Sequence, residues 1–260
     1  MSELDQNNET EDEEQPGWLN RLLTFLLFSR QGLTLTLSVI GLVAVWAVLP
    51  EIARRSILHG LTSRPRLEIL LVAFILLMLS LLWTAGEDLD TWLFVAINQR
   101  WYRRDWVERF MFWITQIGNG VFELLLALLV FLAGLRGLAL QILIGGLSLW
   151  IMVETIKAIT ERSRPFKMME EARVIGWQER GNSFPSGHTA QTFFMISILS
   201  HHFQAGLILN VILYTIAVLV GISRIYIGMH YPRDVLGGAV AGSVWSILIV
   251  VAEPYWSLWR

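Results

Sequence analysis

Hydrophobic runs alternate with short polar stretches along most of this chain. A helix that crosses a bilayer needs about 20 mainly apolar residues. Candidate runs lie at 33–50, 67–85, 121–135, 138–158, 188–203, 207–225 and 235–252. The first is short and carries Thr34, Thr36 and Ser38, and the helix of the third extends back towards Gly118. Residues 18–28 form an apolar run too short to span, with Arg21 and Arg30 near its edges, and are expected to lie in the interface. Residues 87–119 mix charges with Trp92, Phe94, Trp101, Trp106, Phe110 and Trp113, which predicts amphipathic helices along the membrane surface.

Composition agrees with this pattern. Hydrophobic residues make up 54% of the chain and charged ones 16%, against roughly 25% charged in soluble domains. Mean hydropathy is +0.53, and the 12 Trp and 13 Phe suit interface anchoring. The fold class is therefore all-α, a polytopic membrane helical bundle with an extra N-terminal apolar helix. The absence of cysteine removes disulfides and thiolate metal sites. A net charge of -2 leaves no basic face for nucleic acid.

Four segments follow. Residues 1–16 carry seven carboxylates and no base, the pattern of a disordered acidic tail rather than a signal peptide. Residues 17–66 hold the N-terminal apolar helices and an Arg-rich loop. Residues 67–252 form the core, and 253–260 a C-terminal tail.

Three polar islands interrupt the core: 157–165 (KAITERSRP), 185–188 (PSGH) and 223–234 (SRIYIGMHYPRD). Ionisable residues at membrane depth are costly and mark function by default. Counting crossings puts all three islands on one face. The opposite face holds Arg54, Arg55, Arg64, Arg66 and Arg136 in short loops, which favours the cytoplasm for that side. The islands then face the periplasm or exterior of a cell (inner) membrane, although Arg100, Arg103, Arg104 and Arg109 on their own side count against this. The side of the N-terminus depends on whether 33–50 spans.

In the first island, Lys157 and Arg164 can meet a phosphate dianion, Arg bidentately and Lys as a point charge. Pro165 disfavours helix at Arg164 and predicts extended chain there. Arg162 and Lys167 read as a positive membrane flank. In the second, Ser186 can cap a helix and Gly187 lets backbone approach a ligand, so the helix N-terminus offers an anion site with His188 in its first turn. In the third, Pro232 suits the first turn of a new helix. Asp234 can then reach back to one nitrogen of His230, fixing its tautomer and leaving the other as a nucleophile. Arg224 adds a third cation. Taken singly, each has a plainer reading: a membrane flank, a simple N-cap, a helix-dipole aspartate. A metal held by His188, His230 and Asp234 is disfavoured by the three adjacent cations. Glu154, one turn before Lys157, neutralises it or lines the pocket, and His59, His201 and His202 read as surface or interfacial residues.

The islands read K-x6-R-P, P-S-G-H and S-R-x5-H-x3-D. In this the chain resembles the type 2 phosphatidic acid phosphatase (PAP2) superfamily of membrane lipid phosphatases, which shares its core with the vanadium haloperoxidases. The resemblance covers about residues 67–252 and implies a six-span PAP2-like core. It implies His230 as the nucleophile that forms a phosphohistidine, Asp234 as its partner, and His188 as the acid for the leaving oxygen and later the base for water. Lys157, Arg164, Ser186, Gly187 and Arg224 would hold phosphate oxygens, with no metal and no cofactor. The substrate expected is a lipid phosphate or diphosphate in the bilayer: a polyprenyl diphosphate, phosphatidylglycerophosphate or phosphatidic acid. A phosphotransferase using another acceptor, or a non-catalytic lipid-binding protein, are the alternatives. Head group and oligomeric state are not encoded in these motifs.

Overall fold

The computed structural model describes residues 65–80, 84–100 and 104–256, with Ala47, Glu51, Arg54 and Arg55 as isolated positions. Apart from Ala47, the predicted run at 33–50 lies outside the described residues, as do the acidic segment 1–16, the run 18–28 and His59. Among those described, all regular structure is helical. Helix α1 is Pro65–Ser80, and α2 is Thr84–Val95, continuing into a π-turn at Ala96–Arg100. Helix α3, Asp105–Ile114, runs into a 3-10 turn at Thr115–Gly118. Then come α4 (Gly120–Leu132), α5 (Arg136–Thr160), the single turn α6 (Pro165–Met168), α7 (Gly187–His202), α8 (Leu207–Tyr226) and α9 (Pro232–Trp256).

The boundaries follow local chemistry. Asn119 starts α4 by accepting the Phe122 amide on its side chain at 2.8 Å, so the helix begins after Gly118. Pro232 takes the first position of α9, three residues before the apolar run at 235, because its fixed φ suits a helix start. Glu161 ends α5 in the left-handed region, φ 46°. Helix α3 is amphipathic, with Met111 buried and Trp106, Phe110 and Trp113 exposed, as an interfacial helix requires.

By length and composition α5, α8 and α9 can each cross a membrane. The α3 segment with its 3-10 turn pairs with α4 across a 59° bend to make one more candidate. Helix α1 contributes a shorter apolar stretch, Glu68–Leu77, and α7 has 16 residues. Helices α1, α4 and α8 turn large apolar side chains outward, among them Ile69, Val72, Leu124, Leu128, Ile208 and Ile212. An apolar outer surface of this extent is what lipid covers.

Helix α7 is the hub. Ala190, Phe194, Met195 and Ile198 are all buried, and they join Leu149 and Val153 of α5 and Ile249 of α9 in the main core. Backbones come close here because glycines face them. A Cβ on Gly242 of α9 would sit 3.0 Å from the Phe194 amide nitrogen. On Gly238 it would sit 3.1 Å from Thr189 Cβ, and on Gly118 it would sit 2.8 Å from Thr192 Oγ1. The first turn of α7 is thus wedged between α9 and the 3-10 turn, as the Gly238/Gly242 spacing predicts. A methyl at Gly242 has no room, so Gly242→Ala should destabilise the detergent-solubilised protein by about 1–3 kcal/mol through overpacking. Gly120→Ala, whose Cβ meets nothing within 4 Å, serves as the control. A wild-type melting temperature for Gly242→Ala would refute the close approach.

Candidate active site

The three islands converge at one end of the bundle. Lys157 lies in the last turn of α5, with its amine on Glu154 at 2.8 Å. After Glu161 the chain extends, and Arg164 has φ -76° and ψ 152°, as Pro165 requires. The loop between α6 and α7 returns beside it: the Ser183 amide donates to the Arg162 carbonyl at 2.7 Å, and the Ser186 amide to the Asp234 carbonyl at 2.9 Å. The first bond ties the loop to the segment after α5, and the second sets the start of α7 against the first turn of α9. Gly228, φ +87°, reverses the chain after α8, so that the amides of Met229 and His230 donate to the Arg224 carbonyl at 3.0 and 3.2 Å.

Two guanidiniums are buried here. Arg164 donates to the Met229 carbonyl at 3.2 Å and, more weakly, to the carbonyls of Gly181 and Arg180 at 3.4 Å each. Arg224 donates through Nη1 to Thr115 Oγ1 at 3.0 Å, while its buried Nε has no hydrogen-bond partner among the described residues. Between them lies a carboxylate that sequence reasoning missed. Glu179 takes Arg164 Nη1 at 3.0 Å on one oxygen and Arg224 Nη2 on the other. The same carboxylate stands 3.5 Å from His188 Nδ1 and 3.9 Å from His230 Nε2. Burial works to raise its pKa, but Arg224, the two imidazoles and Arg164 outweigh that and hold it well below the usual carboxylate range.

His230 is buried, and its protonation pattern follows from its neighbours. Arg164 Nη1 is 3.2 Å from Nε2, and arginine cannot accept a hydrogen bond. Nε2 therefore carries the lone pair, directed at the anion position, and Nδ1 carries the proton. Nδ1 faces Ser183 Oγ at 3.4 Å and Asp234 Oδ2 at 3.7 Å. Burial first, then Arg164 and Arg224, push the His230 pKa well below its ordinary value, so the ring is neutral at neutral pH. A neutral imidazole whose Nε2 lone pair lies beside an anion held by two guanidiniums can attack that anion's central atom.

Two expectations need correction. Ser186 occupies the N-cap position of α7 but makes no side-chain bond to the helix amides. Its hydroxyl instead accepts from Thr189 Oγ1 at 2.9 Å. Arg162, read as a membrane flank, is turned inward onto Asp90 at 2.5 Å and Asp234 at 2.6 Å. Gly187 opens α7, with Lys157 Nζ 3.8 Å from where a Cβ would stand. His201 and His202 lie exposed at the far end of α7.

A cavity of about 650 Å³ opens from this site. Lys157, Glu179, Gly187 and His188 line its polar end, and Leu124, Leu143, Leu147 and Trp150 line the rest, between α4 and α5. Glu123 of α4 and Gln191 of α7 are hydrogen-bonded to each other on its wall.

Residues 135–257 match the family model described as the PAP2 superfamily. Phosphatidylglycerophosphatase B of Bacillus subtilis is 32% identical over 163 residues, covering 56% of this chain and 75% of the relative. An undecaprenyl-diphosphatase of Sulfolobus acidocaldarius is 27% identical over 190 residues, covering 71% of this chain and 90% of the relative. Among solved structures, the transmembrane PAP2 type phosphatidylglycerolphosphate phosphatase of Bacillus subtilis is similar at a TM-score of 0.62 and 27% identity. That likeness covers 73% of this chain and 96% of the other. With its three motifs gathered around one anion position, the chain belongs to the PAP2 superfamily.

Proposed function

We propose that this protein is a membrane lipid phosphatase that hydrolyses a phosphate or diphosphate ester through a phosphohistidine on His230. The observation that carries this reading is the lone pair of His230 Nε2, which faces an anion position bounded by Arg164 and Arg224. Beside that position an apolar cavity runs between α4 and α5, as a substrate with its tail in the bilayer requires. The relatives named as a phosphatidylglycerophosphatase and an undecaprenyl-diphosphatase support a phosphoric ester hydrolase acting on such lipids.

The steps follow from the geometry. The phosphate displaces Glu179 from the two guanidiniums, with Lys157 and the amides after Ser186 and Gly187 as further donors. The Nε of Arg224, without a partner among the described residues, is left for another oxygen. His230 Nε2 attacks phosphorus, His188 gives a proton to the leaving oxygen, and the lipid alcohol or monophosphate departs. His188 then takes a proton from water, which attacks the phosphohistidine and releases inorganic phosphate. Catalysis is mainly positioning and charge stabilisation around the equatorial oxygens, a task the fixed cations perform without a metal. Residues 67–252 carry this activity on six spans: α1, α4, α5, α7, α8 and α9. The site faces the periplasm or cell exterior.

Phosphate release from polyprenyl diphosphate, phosphatidylglycerophosphate and phosphatidic acid in detergent tests the reading. Wild-type protein should release phosphate from at least one, and His230→Ala from none while keeping its melting temperature. Equal turnover in that variant would sink the nucleophile assignment. A second experiment concerns Glu179. Because its carboxylate shares donors with the substrate phosphate, Glu179→Gln should bind orthovanadate about tenfold more tightly, a change of ~1.4 kcal/mol. Weaker or unchanged vanadate inhibition in this variant would mean that the anion binds elsewhere.

A further inference from the structure

The residues around Asp234 form a chain that the three motifs do not describe. The carboxylate of Asp234 is buried, and its bonds are allotted. Oδ1 takes Arg162 Nη1 at 2.6 Å. Oδ2 takes the Ser183 hydroxyl at 2.6 Å and the Tyr231 amide at 2.8 Å. The distance from Oδ2 to His230 Nδ1, 3.7 Å, is too long for a hydrogen bond. The Ser183 hydroxyl stands between them. It gives its only proton to Asp234 and faces Nδ1 at 3.4 Å with its lone pairs. Since Nδ1 carries the proton, the ring can reach Asp234 through Ser183.

Arg162 is fixed just as tightly. Its second nitrogen, Nη2, binds Asp90 Oδ2 at 2.5 Å, and its guanidinium lies 4.5 Å from the centre of the Tyr231 ring. Asp90, buried on α2, also takes the backbone amide of Arg233 at 2.9 Å and Arg233 Nε at 2.6 Å. Arg233 Nη1 continues to the Ser80 carbonyl at the end of α1. Asp90, bound by the guanidiniums of Arg162 and Arg233 and by the Arg233 amide, holds Arg162 in a single orientation. Such buried networks act as units, and each member fixes the next.

We propose that Asp90, Arg162 and Ser183 are positioning residues for the His230 nucleophile. Asp90 clamps Arg162, Arg162 holds Asp234, and Asp234 acts on the imidazole through the Ser183 hydroxyl. With Arg164 on Nε2, the chain supplies the acceptor for the Nδ1 proton and aims Nε2 at phosphorus. It also couples α1 and α2 to the reacting histidine. This inference rests on the phosphohistidine reading above and adds to it the groups that keep His230 in its reactive form.

Charge decides the test. The groups facing His230 are Arg164 at 3.2 Å, Asp234 at 3.7 Å and Glu179 at 3.9 Å, with Arg224 and Lys157 as more distant cations. Arg162 acts on it only through Asp234. Without Arg162 the Asp234 anion is less compensated and favours the imidazolium, so the His230 pKa rises. Attack needs the neutral ring, so the acid limb of kcat/KM moves to higher pH. Arg162→Gln should therefore lower kcat about 100-fold, the cost of a misplaced reacting group, with KM within a few-fold of wild type. Its acid limb should shift up by about one unit, and Arg162→Lys should restore part of kcat. Ser183→Ala should lower kcat to a similar extent, and its loss should not add to that of Asp234→Asn.

Melting temperatures of all variants accompany these rates. A loss of kcat in Arg162→Gln with an unmoved acid limb, or with no recovery in Arg162→Lys, would overturn the proposal. The 15N shifts of the His230 imidazole in labelled protein read the same point without turnover. Wild type should show the Nδ1–H tautomer with Nδ1 hydrogen-bonded, and Ser183→Ala an Nδ1 shift moved towards that of a donor without an acceptor. Unchanged shifts would overturn the role of Ser183 even if no lipid in the panel were hydrolysed. That last result would count against the phosphatase reading alone.

Discussion

The constraint on which the site depends is that Arg164 and Arg224 are buried and cannot lose their charge. Withdrawing a guanidinium from water costs several kcal/mol unless its protons find acceptors and its charge a partner. The fold supplies acceptors first, through the carbonyl of Met229 for Arg164 and Thr115 for Arg224. These bonds hold the two groups whichever anion lies between them. The charge is compensated separately by Glu179, carried on the loop between α6 and α7. A cradle built in this way is already ordered when an anion arrives, which is the condition for strong electrostatic stabilisation of a transition state.

That arrangement requires three chain segments to meet within hydrogen-bond distance, and helix packing makes it possible. The glycines of α9 let it lie against the backbone of α7, and Gly118 does the same for the 3-10 turn. Because α7 is enclosed, its first turn has one position, and Gly187 and His188 have one too. The outer faces of α1, α4 and α8 are apolar, and large apolar side chains such as Leu149, Phe194 and Ile249 close the interior around those glycines. In a bilayer such outer faces are expected, since lipid tails cover apolar side chains as well as protein does.

Much of this was legible in the sequence. The runs at 138–158, 207–225 and 235–252 reappear as α5, α8 and α9, because apolar length is a local property. Arg164 in extended chain and Pro232 at a helix start follow from the proline ring alone. Glu179 could not be found in this way. It is one of several carboxylates near that loop, with Glu161, Glu170 and Glu171, and only the folded chain shows which one reaches the guanidiniums. Arg162 was misread for a related reason. Its partners, Asp90 and Asp234, lie 72 residues away on either side, so a basic residue at the end of an apolar run looked like a membrane flank. The Ser183 bridge was hidden at finer scale, since the i, i+4 spacing of His230 and Asp234 suggests direct contact.

The two carboxylates at this site differ in a way that separates their roles. Asp234 is fully buried and accepts three hydrogen bonds, from Arg162, Ser183 and the Tyr231 amide. Removing it would strand all three donors, so it stays in place throughout any reaction. The side chain of Glu179 is 30% exposed, it sits on a loop, and its partners retain other acceptors when it leaves. An incoming phosphate brings its own negative charge and can replace what Glu179 gave, whereas nothing in a substrate can replace Asp234. In the proposed mechanism the fixed anion serves the nucleophile, and the displaceable one the cradle. A single histidine between them meets a compensated cation pair on one side and a constant proton acceptor on the other.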